Sequence, residues 1–429
     1  MKPLDNGVVE IRALDGLRAL AALSIVLFHA LHQSNFQAAP VSHVLGNIFW
    51  YLPTGVHLFF VLSGFLLFLP FARAMLRGRP LPGTVQFYQR RALRILPAYL
   101  VALAVLVWLS ATDHAIPLSG WAVLTHLLMI HDMFPAFNRE FEGPFWTLAV
   151  EVQFYLLLPA LAAALAWMMR SSRSPRRLIS GILILVALAL ALRGVDIAIT
   201  SSLPATTNDG FARMFVLLTM GMQGKYLEVF LMGMLAAVVY IVSVEFDGLS
   251  RALRWRLAWL VACVSLAVYV VAVLNVRFCG TMFAPGQPWG IGELVYPLVV
   301  GVGCATLLLA VLWSKHVIRW PFETRPMRFV GHISYSLYLW HDPAILATIP
   351  FFAGIPIIGR VLGAFLVAYV SYQLIERPFL RRRRRDDTRS GARQQRLSGR
   401  SVARTYGLFG GAGIASDPMT CARWSGYIK

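Results

Sequence analysis

Long apolar runs recur along the whole chain and are separated by short polar segments. Runs of roughly 18 to 25 residues have the length that crosses a bilayer as a helix. The pattern predicts about ten spans, near 17–34, 49–71, 95–111, 145–168, 179–197, 223–243, 257–275, 292–313, 332–352 and 359–378. We therefore expect a single all-α body of transmembrane helices rather than several soluble domains.

One further apolar run, at 120–134, is shorter, and His126, His131 and Asp132 interrupt it. Counting it as a span would place the basic residues of 170–177 outside the cytoplasm, against the positive-inside rule. We therefore interpret it as a re-entrant or interfacial helix that is buried against protein, where irregular backbone is tolerated at membrane depth.

Arginines set the predicted orientation of these spans. The segment 72–94 contains several arginines and no acidic residue, which marks it as cytoplasmic. The basic loops near 251–256 and 315–328 fall on the same side when ten spans are counted. The pattern thus predicts a multi-pass membrane protein with both termini in the cytoplasm.

The chain is expected to consist of a membrane domain, residues 1–380, and a tail, residues 381–429. The tail is basic, aperiodic and rich in Arg, Gly and Ser, a composition typical of disorder. The first apolar run has no convincing cleavage site after it, so it is expected to remain as the first span and not to be removed as a signal peptide.

Composition limits the classes of function. The 429 residues are 58% hydrophobic and 14% charged, whereas soluble domains have roughly 25% charged residues. The net charge is +19, but its cations cluster between apolar runs and not among interleaved aromatic residues, which argues against nucleic-acid binding. The four cysteines show no paired spacing, so we predict neither a disulfide framework nor a metal site.

Two ionisable residues of the first span, Arg18 and His29, are candidates for function because such groups are costly inside a membrane. They are eleven residues apart, which is about three helical turns and about 16 Å along the axis, so they share one face. The structural alternative makes Arg18 a snorkelling anchor and His29 a hydrogen-bonded core residue.

Two later spans carry polar stripes. Glu151 and Tyr155 are four residues apart and share a face of the fourth span. Ser334, Tyr338 and His341 share a stripe of the ninth span, with His341 expected near the middle of the bilayer. These residues are expected either to support a reaction or to make helix–helix hydrogen bonds.

Three arginines, Arg90, Arg91 and Arg94, precede the third span on its cytoplasmic side. Guanidinium groups pair with phosphate in a bidentate manner, so the cluster is suited to a phosphate-bearing ligand. The alternative is an anchor that attracts anionic lipid. Together, the polar residues indicate a phosphate-bearing donor on the cytoplasmic side and an acceptor on the outer side.

Five segments, in this order, resemble acyltransferase family 3, the multispanning membrane O-acyltransferases of bacterial surface polysaccharides, Nod factors and macrolides. The segments are LDGLRALAALSIVLFHA (14–30), GVHLFFVLSGFLL (55–67), RRALRILPAY (90–99), WTLAVEVQFYLLLP (146–159) and ISYSLYLWH (333–341). Glu376, Arg377 and Pro378 also match the closing motif of that family. The resemblance covers about residues 10–380.

The resemblance implies an Arg-x10-His motif at Arg18 and His29 and an Arg-x-x-Arg motif at Arg91 and Arg94. It also implies an acyl-CoA co-substrate on the cytoplasmic side, acetyl-CoA being the usual one, and no tightly bound cofactor. The expected acceptor is a hydroxyl of a glycan, a lipid-linked sugar or a small molecule. Some family members carry an additional hydrolase-like domain, which this chain is expected to lack.

The resulting hypothesis is acyl transfer with Arg90, Arg91 and Arg94 on the phosphates of the donor. His29 is expected to act as general base or as a transient acyl carrier, with Arg18 positioning the donor or the imidazole. Glu151, Tyr155, Tyr338 and His341 are expected to support the base or to bind the acceptor. The main alternative is a multispanning transporter of a lipid-linked or anionic substrate, which would need no cytoplasmic arginine pair.

Overall fold

The protein is described by a computed structural model, which defines residues 12–34, 52–112, 119–134, 141, 144–202, 226–282, 291–314, 317–346 and 349–381. The predicted tail lies outside these residues. Within them the chain is all α-helical and has no strand, so the predicted fold class is confirmed.

Twelve α-helices follow one another in the described part of the chain. They are α1 (Ala13–Gln33), α2 (Gly55–Arg77), α3 (Thr84–Thr112), α4 (Gly120–Leu127), α5 (Phe145–Met168), α6 (Pro175–Ser202), α7 (Leu227–Tyr240), α8 (Arg251–Met282), α9 (Ile291–Trp313), α10 (Trp320–Glu323), α11 (Arg325–Ile345) and α12 (Ile357–Ser371). One π-helical turn extends α7 through Ile241–Glu245, and another extends α12 through Tyr372–Glu376.

Nine helices of the described chain are long and apolar enough to cross a membrane, namely α1, α2, α3, α5, α6, α7, α8, α9 and α12. The helix α11 has 21 residues, which also suffices to cross, but it is less apolar. Its residues from Ile333 to Ile345 are mostly buried inside the bundle, so it does not need an apolar surface towards lipid. With α11 the bundle has ten long helices.

Glycines allow the central helices to approach closely. A Cβ atom on Gly64 of α2 would lie 2.1 Å from the carbonyl oxygen of Phe230, and one on Gly233 of α7 would lie 2.1 Å from that of Val61. Likewise, a Cβ on Gly331 of α11 would lie 2.0 Å from the carbonyl oxygen of Asp15 in α1. Backbone-to-backbone packing of this kind is the usual way to join helices in a membrane.

The short helix α4 and the 3-10 turn His131–Met133 enter the bundle and do not cross it. Tyr99, in the middle of α3, donates a hydrogen bond of 2.9 Å to the carbonyl oxygen of His126, and Gln153 of α5 donates one of 2.7 Å to Asp132. The segment therefore reaches the depth of the middle of both helices, as expected of a re-entrant segment.

Two helix boundaries differ from the predicted ones and affect the site. The third span was predicted to begin at residue 95, but α3 begins at Thr84, so all three arginines lie on its first turns. The ninth span was predicted at 332–352, but α11 runs from Arg325 to Ile345. His341 therefore lies near the end of its helix and not at its middle. The apolar runs placed the starts of both helices too late, because the first turns of these helices are polar and lie outside the runs.

Candidate active site

A cavity opens between α1, α2, α3, α5 and α11, and it contains most of the predicted site residues. Its polar lining consists of Arg18, Ser63, Arg91, Arg94, Thr147, Glu151, Tyr155, Ser334, Tyr335 and Tyr338. Apolar side chains of α2, such as Phe59 and Leu66, complete the wall. The cavity thus brings together groups that are more than 300 residues apart in sequence.

Three arginines form one end of this cavity. Arg18 comes from the first turns of α1, and Arg91 and Arg94 come from the first turns of α3. Arg18 lies 3.6 Å from Asp15, while the buried Nε of Arg91 has no hydrogen-bond partner in the described chain. Three guanidinium groups that converge on one cavity are suited to bind an anion.

Arg90 is the one predicted donor-binding residue that does not line the cavity. It precedes Arg91 directly, and neighbouring residues on a helix point in directions about 100° apart. The part of the predicted cluster that faces the cavity is therefore the pair Arg91 and Arg94, together with Arg18.

Glu151 is held in the wall of the cavity by two hydroxyl groups. Tyr155 donates a hydrogen bond of 2.6 Å to Oε1 of Glu151, and Ser63 of α2 donates another to the same oxygen. The carboxylate therefore links α2 to α5 and also supplies negative charge opposite the arginines. The predicted pairing of Glu151 with Tyr155 is present, and the contribution of Ser63 was not predicted.

Tyr338 and Thr147 form another part of the cavity wall. The Tyr338 hydroxyl lies 2.5 Å from Oγ1 of Thr147 and donates a hydrogen bond of 3.1 Å to the carbonyl oxygen of Pro144. One helical turn after Tyr338 comes His341, and their ring centroids are 5.6 Å apart. The phenol ring of Tyr338 thus lies between the cavity and His341.

Beyond Tyr338, His29 and His341 meet at an aspartate. Nδ1 of His29 lies 2.8 Å from Oδ1 of Asp342, and the rings of His29 and His341 lie edge to face with centroids 5.1 Å apart. His29 is partly exposed, whereas His341 and Asp342 are buried. Helix α1 supplies the first residue and α11 the other two.

The two imidazoles differ in how their nitrogens are used. Nδ1 of His341 lies 2.8 Å from the carbonyl oxygen of Tyr338, to which it donates, so Nε2 of His341 carries the lone pair. That Nε2 atom is buried and has no partner in the described chain. Asp342 places its Oδ1 atom 2.8 Å from Nδ1 of His29, so the negative charge of the carboxylate favours a proton on that nitrogen.

Asp342 was not among the predicted site residues, although it directly follows His341. The spacing of residues within α11 does not mark Asp342 as functional, because its partner, His29, lies on α1. The three residues could also hold a metal ion, since their ligand atoms all lie within 4.8 Å of one another. The distance of 2.8 Å between Nδ1 of His29 and Oδ1 of Asp342 also fits a direct ion pair between a protonated imidazole and the carboxylate.

Glu376 of the predicted closing motif anchors α11 and does not enter the cavity. Its buried carboxylate accepts a hydrogen bond from Ser336, and Ser336 also lies 3.3 Å from Ser371. These contacts attach α11 to the end of α12, and so they fix the helix that carries Tyr338, His341 and Asp342.

The chain is similar to curated peptidoglycan O-acetyltransferases. It is 27% identical over 393 residues to the peptidoglycan O-acetyltransferase OatA of Listeria monocytogenes, covering 85% of this chain and 55% of that protein. The putative peptidoglycan O-acetyltransferase YrhL of Bacillus subtilis is also 27% identical, over 86% of this chain and 54% of its own length. The chain thus spans about half the length of these relatives. No solved structure matches it.

A family model, described as an acyltransferase domain, matches residues 11–376. That range contains every helix that forms the cavity and the cluster of His29, His341 and Asp342. The chain is therefore a multi-pass membrane protein that belongs to the acyltransferase family, whose members are enzymes that transfer acyl groups.

Proposed function

We propose that this chain is an O-acyltransferase of the plasma membrane that moves an acetyl group from cytoplasmic acetyl-CoA to a hydroxyl of a cell-surface glycan. One observation carries the proposal. One cavity is lined both by Arg18, Arg91 and Arg94 and by Tyr338, whose ring contacts His341 of the histidine–aspartate cluster. An anion site thus lies in the cavity, and a candidate base lies directly behind the Tyr338 ring.

The arginine end fits the donor. Acetyl-CoA carries several phosphates on its nucleotide part, and guanidinium groups bind phosphate through paired hydrogen bonds. Arg91 has a buried Nε–H without a partner in the described chain, which a phosphate oxygen can accept. The pantetheine arm would then extend along the apolar wall of α2 towards Tyr338.

The histidine end fits the chemistry. In this proposal Nε2 of His29 takes the proton from the acceptor hydroxyl while its oxygen attacks the thioester carbonyl carbon. The new C–O bond forms, the C–S bond breaks, and the proton passes from His29 to the departing sulfur, which leaves as the thiol of CoA. Asp342 stabilises the imidazolium that exists between these two proton transfers, because it stands at Nδ1.

The glycan acceptor is supported by the relatives, which are named for O-acetyl transfer to peptidoglycan. Because this chain matches only about half of the length of these relatives, its final acceptor is proposed here and not taken over from them. The partly exposed His29 is consistent with an acceptor that reaches the cluster from outside the bundle.

The experiment is acetyl transfer in inverted membrane vesicles supplied with radiolabelled acetyl-CoA. Wild type is compared with His29→Ala and with His332→Ala, the control, because His332 is an exposed histidine of α11. We expect label to enter a glycan fraction, and base treatment to release it as acetate, in wild type and the control but not in His29→Ala. Equal labelling by all three proteins would remove His29 from the reaction, and no transfer by wild type would contradict the proposed function.

A further inference from the structure

A second polar cluster lies between α2, α6, α7 and α9, beside the cavity, and it shares none of the polar residues that line the cavity. Its polar members are His57, Arg193, Asp196 and Glu228. His57 is on the first turn of α2 and Glu228 on the first turn of α7, whereas Arg193 lies towards the end of α6. All of them therefore belong to the same end of the bundle, the one predicted to face outwards.

Tyr226 forms the centre of this cluster. The Arg193 guanidinium lies over its ring at 5.5 Å, the His57 ring meets it at 5.3 Å, and the Trp146 ring lies at 5.8 Å. Tyr226 also has a backbone φ of 51°, a left-handed conformation that is unfavourable for an aromatic residue. Tyr296 completes the aromatic surroundings at 6.0 Å from His57.

Several polar atoms of the cluster are buried without a hydrogen bond to any described residue. In that part of the chain neither ring nitrogen of His57 has a partner, although the residue is only 8% exposed. Nε of Arg193 and Oδ1 of Asp196 are also buried and have no partner among the described residues. Arg193 does bind Glu228, at 2.6 Å. An unsatisfied buried polar atom costs about 1–3 kcal/mol, so four of them in one cluster indicate a ligand or bound water.

The charges and the atom types restrict the ligand. One guanidinium faces two carboxylates, so an anion such as a phosphate would be repelled, and an apolar ligand would leave every polar atom unpaired. A hydroxyl group both donates and accepts, so several hydroxyls can pair with Arg193, Asp196 and His57 at the same time. Aromatic rings beside such groups suit the apolar faces of a sugar ring.

The cluster lies next to the proposed reaction site. Consecutive residues of α5 connect the two, because Trp146 contacts Tyr226 whereas Thr147 contacts Tyr338. The two sites are therefore joined by one helix, as a glycan that occupied both would require.

We propose that His57, Arg193, Asp196 and the ring of Tyr226 form a binding subsite for a neutral, hydroxyl-rich sugar unit of the acceptor. This inference rests on the proposed transfer to a glycan, and it names the residues that bind the acceptor. It concerns recognition alone and assigns these residues no part in the transfer step.

The test measures saccharide binding to the full chain purified in lipid nanodiscs. Chitotetraose, a neutral tetrasaccharide, is the probe, and acetyl-CoA binding is measured in parallel. We expect His57→Gln and Asp196→Asn each to weaken chitotetraose binding about tenfold, the effect of one lost hydrogen bond to a buried group. Both variants should bind acetyl-CoA as wild type does, which also shows that they are folded.

The matched control is Asp247→Asn, since Asp247 is an aspartate with an 89% exposed side chain outside the cluster. It should leave both affinities unchanged. Absence of chitotetraose binding by wild type, or equal binding by all variants, would overturn the subsite and leave ordered water as the occupant. Binding that depends on the cluster without any acetyl transfer would contradict the proposed function and retain the subsite. Acetyl transfer with an unchanged acceptor KM in both cluster variants would overturn the subsite and retain the proposed function.

Discussion

At the scale of single residues, the partners of each polar group decide between its structural and its chemical interpretation. Arg18 and His29 are on one helix, but the structure places them at separate sites, one in the arginine end of the cavity and one beside Asp342. A histidine that merely stabilised helix packing would have both nitrogens satisfied by protein groups. His29 is partly exposed and lies 2.8 Å from a carboxylate oxygen, an arrangement that suits the general base of the proposed mechanism.

The first prediction concerns Asp342. Replacing it with Asn keeps the shape but removes the negative charge that stabilises protonated His29. We expect Asp342→Asn to lower kcat by about 10²–10⁴-fold, the usual contribution of acid–base catalysis, with little change in the KM for acetyl-CoA. The measurement is the initial rate of acetyl transfer in vesicles at equal protein level. Asp247→Asn is the control, and a loss of rate in both variants would contradict the assigned role.

A second prediction separates two adjacent arginines. Arg91 lines the cavity and Arg90 does not. Lysine keeps the charge but cannot form the paired hydrogen bonds of a guanidinium. Arg91→Lys is therefore expected to raise the KM for acetyl-CoA about tenfold, whereas Arg90→Lys should leave it unchanged. Equal effects on the donor KM would mean that the cluster acts only through its total charge.

Sequence spacing was sufficient for some of these residues and not for others. Arg91 and Arg94 are three residues apart on one helix, and Glu151 and Tyr155 are four residues apart on another. Each pair therefore shares a face of its helix, whatever surrounds it. Asp342, Thr147 and Ser63 matter because of residues on other helices. Such contacts depend on how the helices are arranged, and the spacing of residues within one helix does not predict that arrangement.

At the scale of helices, the apolar pattern predicted the existence of the spans better than their ends. Lipid-facing helices such as α8 are apolar around much of their surface, and the pattern found them readily. By contrast, α11 is polar because its neighbours are protein, and it carries much of the site. A hydropathy argument is therefore weakest for the helices that matter most for function.

A third prediction concerns the contact between α2 and α7. A methyl group on Gly64 would clash with the carbonyl oxygen of Phe230, so Gly64→Ala must force the two helices apart. We expect the free energy of unfolding to fall by about 1–3 kcal/mol, the cost of overpacking, and the melting temperature in detergent to fall with it.

The control for this prediction is Gly194→Ala in α6. Gly194 is also inside a helix, but an added methyl group meets no atom within 4 Å. Because alanine favours helix by about 1 kcal/mol over glycine, this variant should keep or raise the melting temperature. Equal destabilisation by both substitutions would show that close packing of α2 on α7 is not what Gly64 provides.

At the scale of the whole molecule, the distribution of charge relates the fold to the two sides of the membrane. Arg73 and Arg77, at the end of α2, bind Glu245 at the end of the π-helical turn after α7, with distances of 2.6 Å and 2.9 Å. The arginine end of the cavity belongs to the same end of the bundle, because α3 begins directly after α2 ends. The donor can therefore be cytoplasmic only if this end faces the cytoplasm.

The final prediction tests that orientation. Single cysteines are introduced at Asp247 and Phe351, which are highly exposed and lie at opposite ends of the bundle, after the four native cysteines have been replaced by alanine. With the basic end inside, a membrane-impermeant maleimide should label Asp247→Cys only in inverted vesicles and Phe351→Cys only in right-side-out vesicles. The reverse pattern would place the arginines outside, where no cytoplasmic acetyl-CoA can reach them, and would exclude the proposed donor together with the orientation.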